Sequence, residues 1–406
     1  MTPPLPKRTI ELRQTNRQAI LRFLMLDGPM SRLELSQKTG LSLGTITNVA
    51  GPLQEIGMLV ETGMEESEGG RPRSILGINP QYGFLVGVDM GEHHVELELF
   101  ELTLKKLGTV RRPLNVGLIS ANDYVSAISS GLEELCRVTG ISQEKILGMG
   151  IGVPGIVEHD GQVSISIPMW NWKSVQFLRD VEDRINLPVY LDNGAKAMAL
   201  AEFWYGAGRG AQDVVVALIG TGIGAGVITK GSLYRGATNS AGEWGHTKIV
   251  MDGKPCRCGS HGCLEAYAGA TGILNRMGVE NINLTSDQVQ IDMIEQLVRD
   301  EQQGDEHARY VLRETAHYLG AGVANLVNLF NPERVVVGGW VGMLIGESIM
   351  ADLKEYVRQY ALPPSQSRLE IVSCQFGQDA ICTGAACLVI EQYLSANPKF
   401  ARRLTA

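Results

Sequence analysis

Gly242-Glu243-Trp244-Gly245-His246, followed by Cys256-Arg257-Cys258-Gly259-Ser260-His261-Gly262-Cys263-Leu264-Glu265, is the stretch around which the chain is organised. It sets three cysteines and a histidine within eighteen residues. His246, Cys256, Cys258 and Cys263 form a Cys₃His set that suits tetrahedral zinc, and thiolates favour that metal over magnesium or calcium, which prefer oxygen. One structural Zn²⁺ per chain is expected. The Cys256-x-Cys258 spacing is shorter than C-x₂-C, so a generic finger is a poor match. The glycines between the ligands allow a tight knuckle. The alternative is three unrelated cysteines and a surface histidine, and four soft ligands inside one glycine-rich loop argue against it. Two glutamates flank the set: Glu243 lies three residues before His246, and Glu265 two after Cys263. A metal that pins both ends of the loop would hold these carboxylates in place, and carboxylates accept well from the hydroxyls of a polyol.

G-E-x-G-H followed by C-x-C-G-x-x-G-C-x-E resembles the signature of the ROK family (repressors, open reading frames and sugar kinases). The resemblance implies that the histidine and cysteines hold structural zinc, while Glu243, His246 and Glu265 touch a sugar. A histidine bound to metal through one ring nitrogen can offer the other to a ligand.

The 406 residues suggest two or three domains with ample core. A net charge of −8 and a pI near 5.5 exclude a basic nucleic-acid coat, so any DNA contact must come from a local patch. No run of about twenty apolar residues exists to span a membrane, and Met1 to Arg8 lacks the apolar core of a signal peptide. Of the seven cysteines, Cys136, Cys374, Cys382 and Cys387 sit in apolar or small-residue segments, which fits a reduced cytoplasmic protein.

Residues 1–79 read as a winged helix–turn–helix. Thr9 to Leu26 is helical, with Ile20, Phe23 and Leu24 on one face. Asp27-Gly28-Pro29 ends it, Ser31-Arg32-Leu33-Glu34 is a capping box, and Thr39-Gly40 turns. Ser42 caps a third helix whose apolar face is Ile46, Val49, Leu53 and Ile56. Gly44, Thr47, Asn48 and Gly51 point away from that face. Thr47 and Asn48 can bond base edges, and the glycines let the backbone approach a groove. Pro52 is expected to bend or end the helix. Gly57 to Glu61 and Ser74 to Ile78 look like wing strands. The Gly69-Gly70-Arg71-Pro72-Arg73 loop between them resembles the minor-groove arms of this family's repressors, which makes Arg71 and Arg73 candidates for DNA contact together with Ser42, Gly44, Thr47 and Asn48. Residues 1–48 carry seven basic and three acidic side chains. The same shape also serves protein–protein contacts, but the charge favours DNA. N-R-x-x-I-L-x-x-L, then G-P-x-S-R-x-E-L and T-G-L-S, is similar to the winged domain of NagC, XylR and Mlc type regulators over residues 9–79.

From Gly83 the pattern changes. Phe84 to Gly91 is a strand into an Asp-x-Gly turn, Val95 to Phe100 a second strand, Tyr124 to Cys136 a helix, and Ile146 to Val153 a strand. Val189 to Asn193 is a strand followed by a helix to Tyr205. Val214 to Ile219 and Gly226 to Ile228 form a hairpin through Gly220-Thr221-Gly222-Ile223-Gly224-Ala225. Arg313 to Phe330 is helical, and Arg334 to Gly339 is a strand into a turn. This α/β order resembles the actin-like (sugar-kinase) fold, with ligand between two lobes. The expected divisions are 80–192 for the first lobe, 193–382 for the second lobe with zinc loop and sugar site, and 383–406 for a C-terminal helix that packs back on the first lobe or at a dimer interface. Glu280 to Asp305 is expected to be a peripheral helical bundle, and Asn397 to Arg403 a solvated basic tail.

Four stations of a ROK kinase can be sought. The phosphate turn, normally D-x-G-G-T, is Asp89-Met90-Gly91-Glu92-His93, and Glu92 would put negative charge where a phosphate should lie. The catalytic E-N-D-A-N becomes Asp192-Asn193-Gly194-Ala195-Lys196, with Gly194 at the position of the general base. Losing that base costs roughly 10²–10⁴ in rate. Gly220-Thr221-Gly222-Ile223-Gly224 and Gly338-Gly339 are intact, but tight hairpins demand such glycines whether or not ATP binds. The sugar side survives at Gly155, Asn193, Glu243, His246 and Glu265, and Asp192 takes the place of a glutamate. Pro168-Met169-Trp170-Asn171-Trp172 offers either rings at the pocket mouth or a core tryptophan pair.

A polyol pocket without the kinase base, joined to a DNA-binding head, reads as a sugar-responsive transcriptional repressor and not an enzyme. It is expected to bind a palindromic operator as a homodimer or dimer of dimers, with effector binding closing the cleft and shifting the two heads. Two rival readings are a sugar kinase with a DNA-binding head and an Mlc-like regulator controlled by a transporter protein.

Overall fold

The computed structural model describes residues 7–65, 72–114, 120–158, 161–165, 172–279 and 286–395. The loop tip at 69–71 with Arg71, residues 168–171, the 280–285 start of the expected peripheral helix, and the tail lie outside them.

The head comprises α1 (Lys7–Leu26), β1 (Met30–Ser31), α2 (Arg32–Thr39), α3 (Leu43–Glu55), β2 (Leu59–Glu65) and β3 (Arg73–Ile78). Ser31 and Glu34 close the capping box: the Ser31 amide donates to Glu34 Oε2 at 2.8 Å, and the Glu34 amide donates to Ser31 Oγ at 3.4 Å. The Gly40 cap adopts the left-handed conformation that turns the chain into α3. Ile20, Leu21 and Leu24 of α1 bury against Leu35, Ile46, Ala50 and Leu53. Two expectations need correction. Ile56 is exposed, and Ala50 takes its place on the apolar face. The helix runs on past Pro52 to Glu55, because Pro52 is exposed and solvent can satisfy the carbonyl that its missing amide leaves. The strands order β1-β3-β2, so the two-strand wing gains a short third member.

The body holds two five-stranded sheets of identical connectivity. The first uses β4 (Phe84–Met90), β5 (His94–Glu101), β6 (Lys106–Pro113), β7 (Ile146–Val153) and, after β8 (Ile156–Val157), β9 (Val163–Ile165) and β10 (Trp172–Val175), β11 (Val189–Asn193). Its order is β11-β7-β4-β5-β6, with β4, β7 and β11 parallel and β5 and β6 antiparallel. The second uses β12 (Val214–Ile219), β13 (Ile223–Thr229), β14 (Ser232–Leu233), β15 (Arg334–Gly338) and β16 (Glu370–Ser373) in the order β14-β13-β12-β15-β16, again three antiparallel strands followed by two parallel ones. The motif is repeated although no repeat is visible in the sequence. β6 was not foreseen, because its residues are mostly exposed and polar and give no apolar alternation.

Helices cover both sheets. α4 (Ala121–Thr139) and α5 (Phe177–Ile185) pack on the first, and α6 (Gly194–Trp204) leads from the first to the second. α7 (Glu265–Ala268), α8 (Ala270–Arg276), α9 (Asp287–Gln302), α10 (Glu306–Phe330) and α11 (Gly339–Tyr360) build the second lobe's helical layer. After α12 (Pro363–Gln366), α13 (Ala380–Ser395) returns to the first sheet. No helix among the described residues is long and apolar enough to cross a membrane.

Small residues set how closely α13 seats. A Cβ on Gly87 would strike the Cys382 carbonyl, one on Gly150 the Ala385 carbonyl, and one on Gly384 the Ala197 carbonyl of α6. Backbone therefore lies on backbone at three places. α1 of the head rests on the same α13, and Ile20, Leu21 and Leu24 share one apolar cluster with Ala386, Cys387 and Ile390. Gly384→Ala should cost about 3 kcal/mol, because the obstacle is a carbonyl that cannot rotate away. Gly346→Ala, in α11 where an added Cβ meets nothing within 4 Å, should instead gain about 0.5–1 kcal/mol. Guanidinium melts of the two variants check the contrast.

Candidate functional site

A cleft of about 520 Å³ opens between the lobes, within the size range of small-molecule sites. Its second-lobe wall begins at Gly242, whose φ of 97° is open to glycine and whose absent side chain leaves room for the Ala225 carbonyl. The turn delivers Glu243 and then His246, which closes a short 3₁₀ segment.

His246, Cys256, Cys258 and Cys263 converge. One ligand atom from each lies within 4.8 Å of the others, as a single metal ion requires. Cys256 Sγ stands 3.8 Å from His246 Nδ1, and Cys258 Sγ 3.8 Å from Cys263 Sγ. None of the three cysteines is in a disulfide. The other ring nitrogen, His246 Nε2, faces Glu243 Oε2 at 3.9 Å. The imidazole thus turns one nitrogen to the thiols and the other to the cleft carboxylate.

The proposed sugar residues meet here. Gly155, Asn193, Glu243, His246 and Glu265 all line the cleft. Asn193 caps α6 by accepting from the Ala195 amide at 2.8 Å, and its side-chain amide donates to the Gly155 carbonyl at 2.8 Å. Burial raises the carboxyl pKa of Glu243, and His246 and Lys196 oppose it. Glu265 accepts from the Ile223 amide at 2.9 Å through Oε2. Asp192, by contrast, is scaffolding. Buried beneath the site, it accepts from Arg235 at 2.8 Å and lies 3.8 Å from Lys196, whose ammonium also donates to the Asn239 carbonyl. These bonds hold the loop that leads to Glu243.

Arg257, whose role the sequence did not reveal, crosses the cleft. Its Nε donates to Glu265 Oε1 at 3.0 Å, and its Nη1 to Glu92 Oε1 at 2.5 Å. Burial opposes its charge, but Glu92 and Glu265 outweigh this and raise its pKa. His94, also from the first lobe, lies 2.8 Å from Asp287 of α9. The Trp340 indole lies against Gly220 in the glycine turn. The Gly194 position presents no side chain to the cleft. Trp172 is not at the pocket mouth: buried, it packs edge-on to Tyr124 at 5.7 Å and against Phe177 at 5.5 Å. Trp170 lies outside the described residues.

Comparison with known proteins decides the family. The ROK family model matches residues 85–392, and a winged helix-turn-helix DNA-binding model matches residues 13–60. The chain belongs to the ROK family. It is 31% identical over 390 residues to the xylose repressor of Caldicellulosiruptor bescii, covering 95% of this chain and 97% of that one. Among solved structures it resembles a ROK family transcriptional regulator described as a homolog of the E. coli Mlc protein, at a TM-score of 0.78 and 25% identity, over 97% of this chain and 99% of that one. It also resembles a ROK family glucokinase from Streptomyces griseus, solved with glucose and AMPPNP, at a TM-score of 0.66 and 29% identity. That likeness covers 76% of this chain and all of the kinase.

On the head of this ROK chain, Ser42, Gly44, Thr47 and Asn48 are exposed at the start of α3, and Arg73 is exposed at the start of β3. Ser42 Oγ caps the helix by accepting from the Thr45 amide at 3.2 Å. Thr47 Oγ1 donates to the Leu43 carbonyl at 2.9 Å, so only its lone pairs and methyl face outward. Arg32, one of the basic residues of the head, is internal scaffolding bonded to Ser74 and Gln54.

Asp89, at the cleft end of β4, has its pKa pushed up to about 6 by burial. A carboxyl raised in the folded state favours folding fully at low pH and loses that advantage as pH rises through the folded pKa. Asp89→Asn should therefore make the fall in stability between about pH 4 and 6 shallower than in the parent, by on the order of 2 kcal/mol. Glu98, raised to about 7 by burial, leaves a residual decline that runs from about pH 4.5 to 7 in the variant as well. Thermal melts across pH check this.

Proposed function

We propose that this chain is a sugar-responsive transcriptional repressor of carbohydrate-metabolism genes, acting in the cytoplasm. The observation that carries the reading is one chain with two surfaces: a helix–turn–helix whose third helix leaves Thr47 and Asn48 uncovered, and a cleft in which Glu243, His246 and Glu265 converge. The repressor name of a relative spanning nearly the whole chain supports it. That name also makes D-xylose the first effector to test. In this reading the winged head, 1–79 with Arg71 at the wing tip, binds a palindromic operator as a dimer. The body divides at 80–192, 193–382 and 383–406. The chain is not a kinase, because Gly194 offers no base and Glu92 stands where phosphate would come.

Zinc fits the cysteine–histidine set by donor chemistry and convergence. His246, Cys256, Cys258 and Cys263 would hold it, and bound there it would fix the loop that carries both sugar-facing glutamates. Cys258→Ser should lose the metal by elemental analysis and melt at lower temperature. A metal-free variant that stays folded and responds to sugar would contradict the structural role.

The deciding experiment is fluorescence anisotropy of the chain on its own upstream DNA, titrated with D-xylose and then other pentoses, hexoses, amino sugars and their phosphates. Release of DNA by one sugar establishes the reading, and binding that no sugar alters sinks it. Glu243→Gln should weaken the response to that sugar by about 100-fold, the loss of one charged acceptor, while operator affinity stays within about twofold.

A further inference from the structure

Glu92 and Arg257 come from opposite lobes. Glu92 belongs to the turn after β4, and Arg257 to the cysteine loop. Tyr124 pins the first turn by donating to the Gly91 carbonyl at 2.9 Å and the Glu92 carbonyl at 3.2 Å. The Arg257 guanidinium lies against the glycine turn before β13, with Nη2 3.0 Å from where a Cβ on Gly222 would be. A guanidinium beside a glycine-rich turn is a seat for an oxyanion, and carboxylate and phosphate are the two that it binds with the same fork geometry. Here the anion is part of the chain.

We propose that the Glu92 carboxylate acts as a built-in substitute for a phosphoryl group, filling an anion seat on Arg257 and tying the lobes together with no nucleotide bound. The tie reaches the sugar side, because the same guanidinium holds Glu265 Oε1. Arg257 is thus a positioning residue: it aims a sugar-facing carboxylate from a point fixed in the other lobe. Other charges face this end of the cleft. Asp89, Glu96 and Asp287 are acidic, and Arg111 and His94 flank them. Without Glu92, Arg257 keeps its bond to Glu265, while its Nη1 loses the carboxylate that it holds beside the turn. The sugar half of the inference rests on the function proposed above, and the anion half stands apart from it.

The test is calorimetric titration of the full chain with inorganic phosphate at constant ionic strength. The parent should take up none. Glu92→Ala should bind phosphate with a Kd of about 1–10 mM, and Glu92→Ala combined with Arg257→Met should not. D-xylose affinity should fall about tenfold in Glu92→Ala and return on adding phosphate, which a merely structural defect would not do. If Glu92→Ala does not fold, Glu92→Gln keeps the volume without the charge, and phosphate should raise its melting temperature but not the parent's. No phosphate uptake by either variant, or equal uptake without Arg257, overturns the seat. Unchanged xylose affinity in Glu92→Ala overturns the tie to the sugar side. If no variant or parent binds any sugar, the functional reading fails, while the phosphate result still decides the seat.

Discussion

Two helices touch backbone to backbone where Gly384 of α13 meets the Ala197 carbonyl of α6. This contact requires that neither helix carry bulk at the crossing, and both comply: α13 reads Ala380, Gly384, Ala385, Ala386, and α6 reads Ala195, Ala197, Ala199, Ala201. Dispersion among closely packed atoms rewards the approach, and a single extra methyl would forfeit it. Everything else is placed from here. α6 starts at the cleft-lining Asn193 and ends at Trp204, and α13 lays its other side on β4 and β7.

The cleft follows from the duplicated sheet. In both sheets the parallel strands end on the cleft side, and those ends carry the chemistry: Asp89 to Glu92 at the end of β4, Gly155 after β7, Asn193 at the end of β11, and Gly339 after β15. Ligand sites gather at such strand ends because the backbone there stops pairing with neighbours and has groups to offer. The cysteine loop adds what the repeated motif cannot supply, a compact platform that brings Glu243, His246 and Glu265 to the opposite wall.

Much of this was legible beforehand. The capping box at Ser31, the strand from Ile146 to Val153 and the cysteine–histidine convergence follow from local rules of hydrogen bonding, apolar pattern and ligand type. What escaped reading depends on distance along the chain. Arg257 sits between two cysteines, and its partner Glu92 is 165 residues away, so nothing nearby marks it as a crossing residue. Asp192 looked like a pocket residue by its place in the motif, yet Arg235 and Lys196 claim it from below. Ile56 fell on the right helical stripe, but the helix had already reached its end there. The β6 edge strand is polar because solvent covers it, so it gave no apolar signal.

Arg22 of α1 lies over the rings of Phe203 and Trp204 at the far end of α6, at 5.9 and 5.5 Å, and Asp27 at the foot of α1 pairs with Arg209 at 2.9 Å. With the apolar cluster shared by α1 and α13, this makes the head a spoke fastened to a hub and not a pendant on a string. A spoke cannot lag behind its wheel. Any rotation of the lobes about the α6–α13 axle would be delivered to the third helix of the head as a displacement that grows with its distance from that axle.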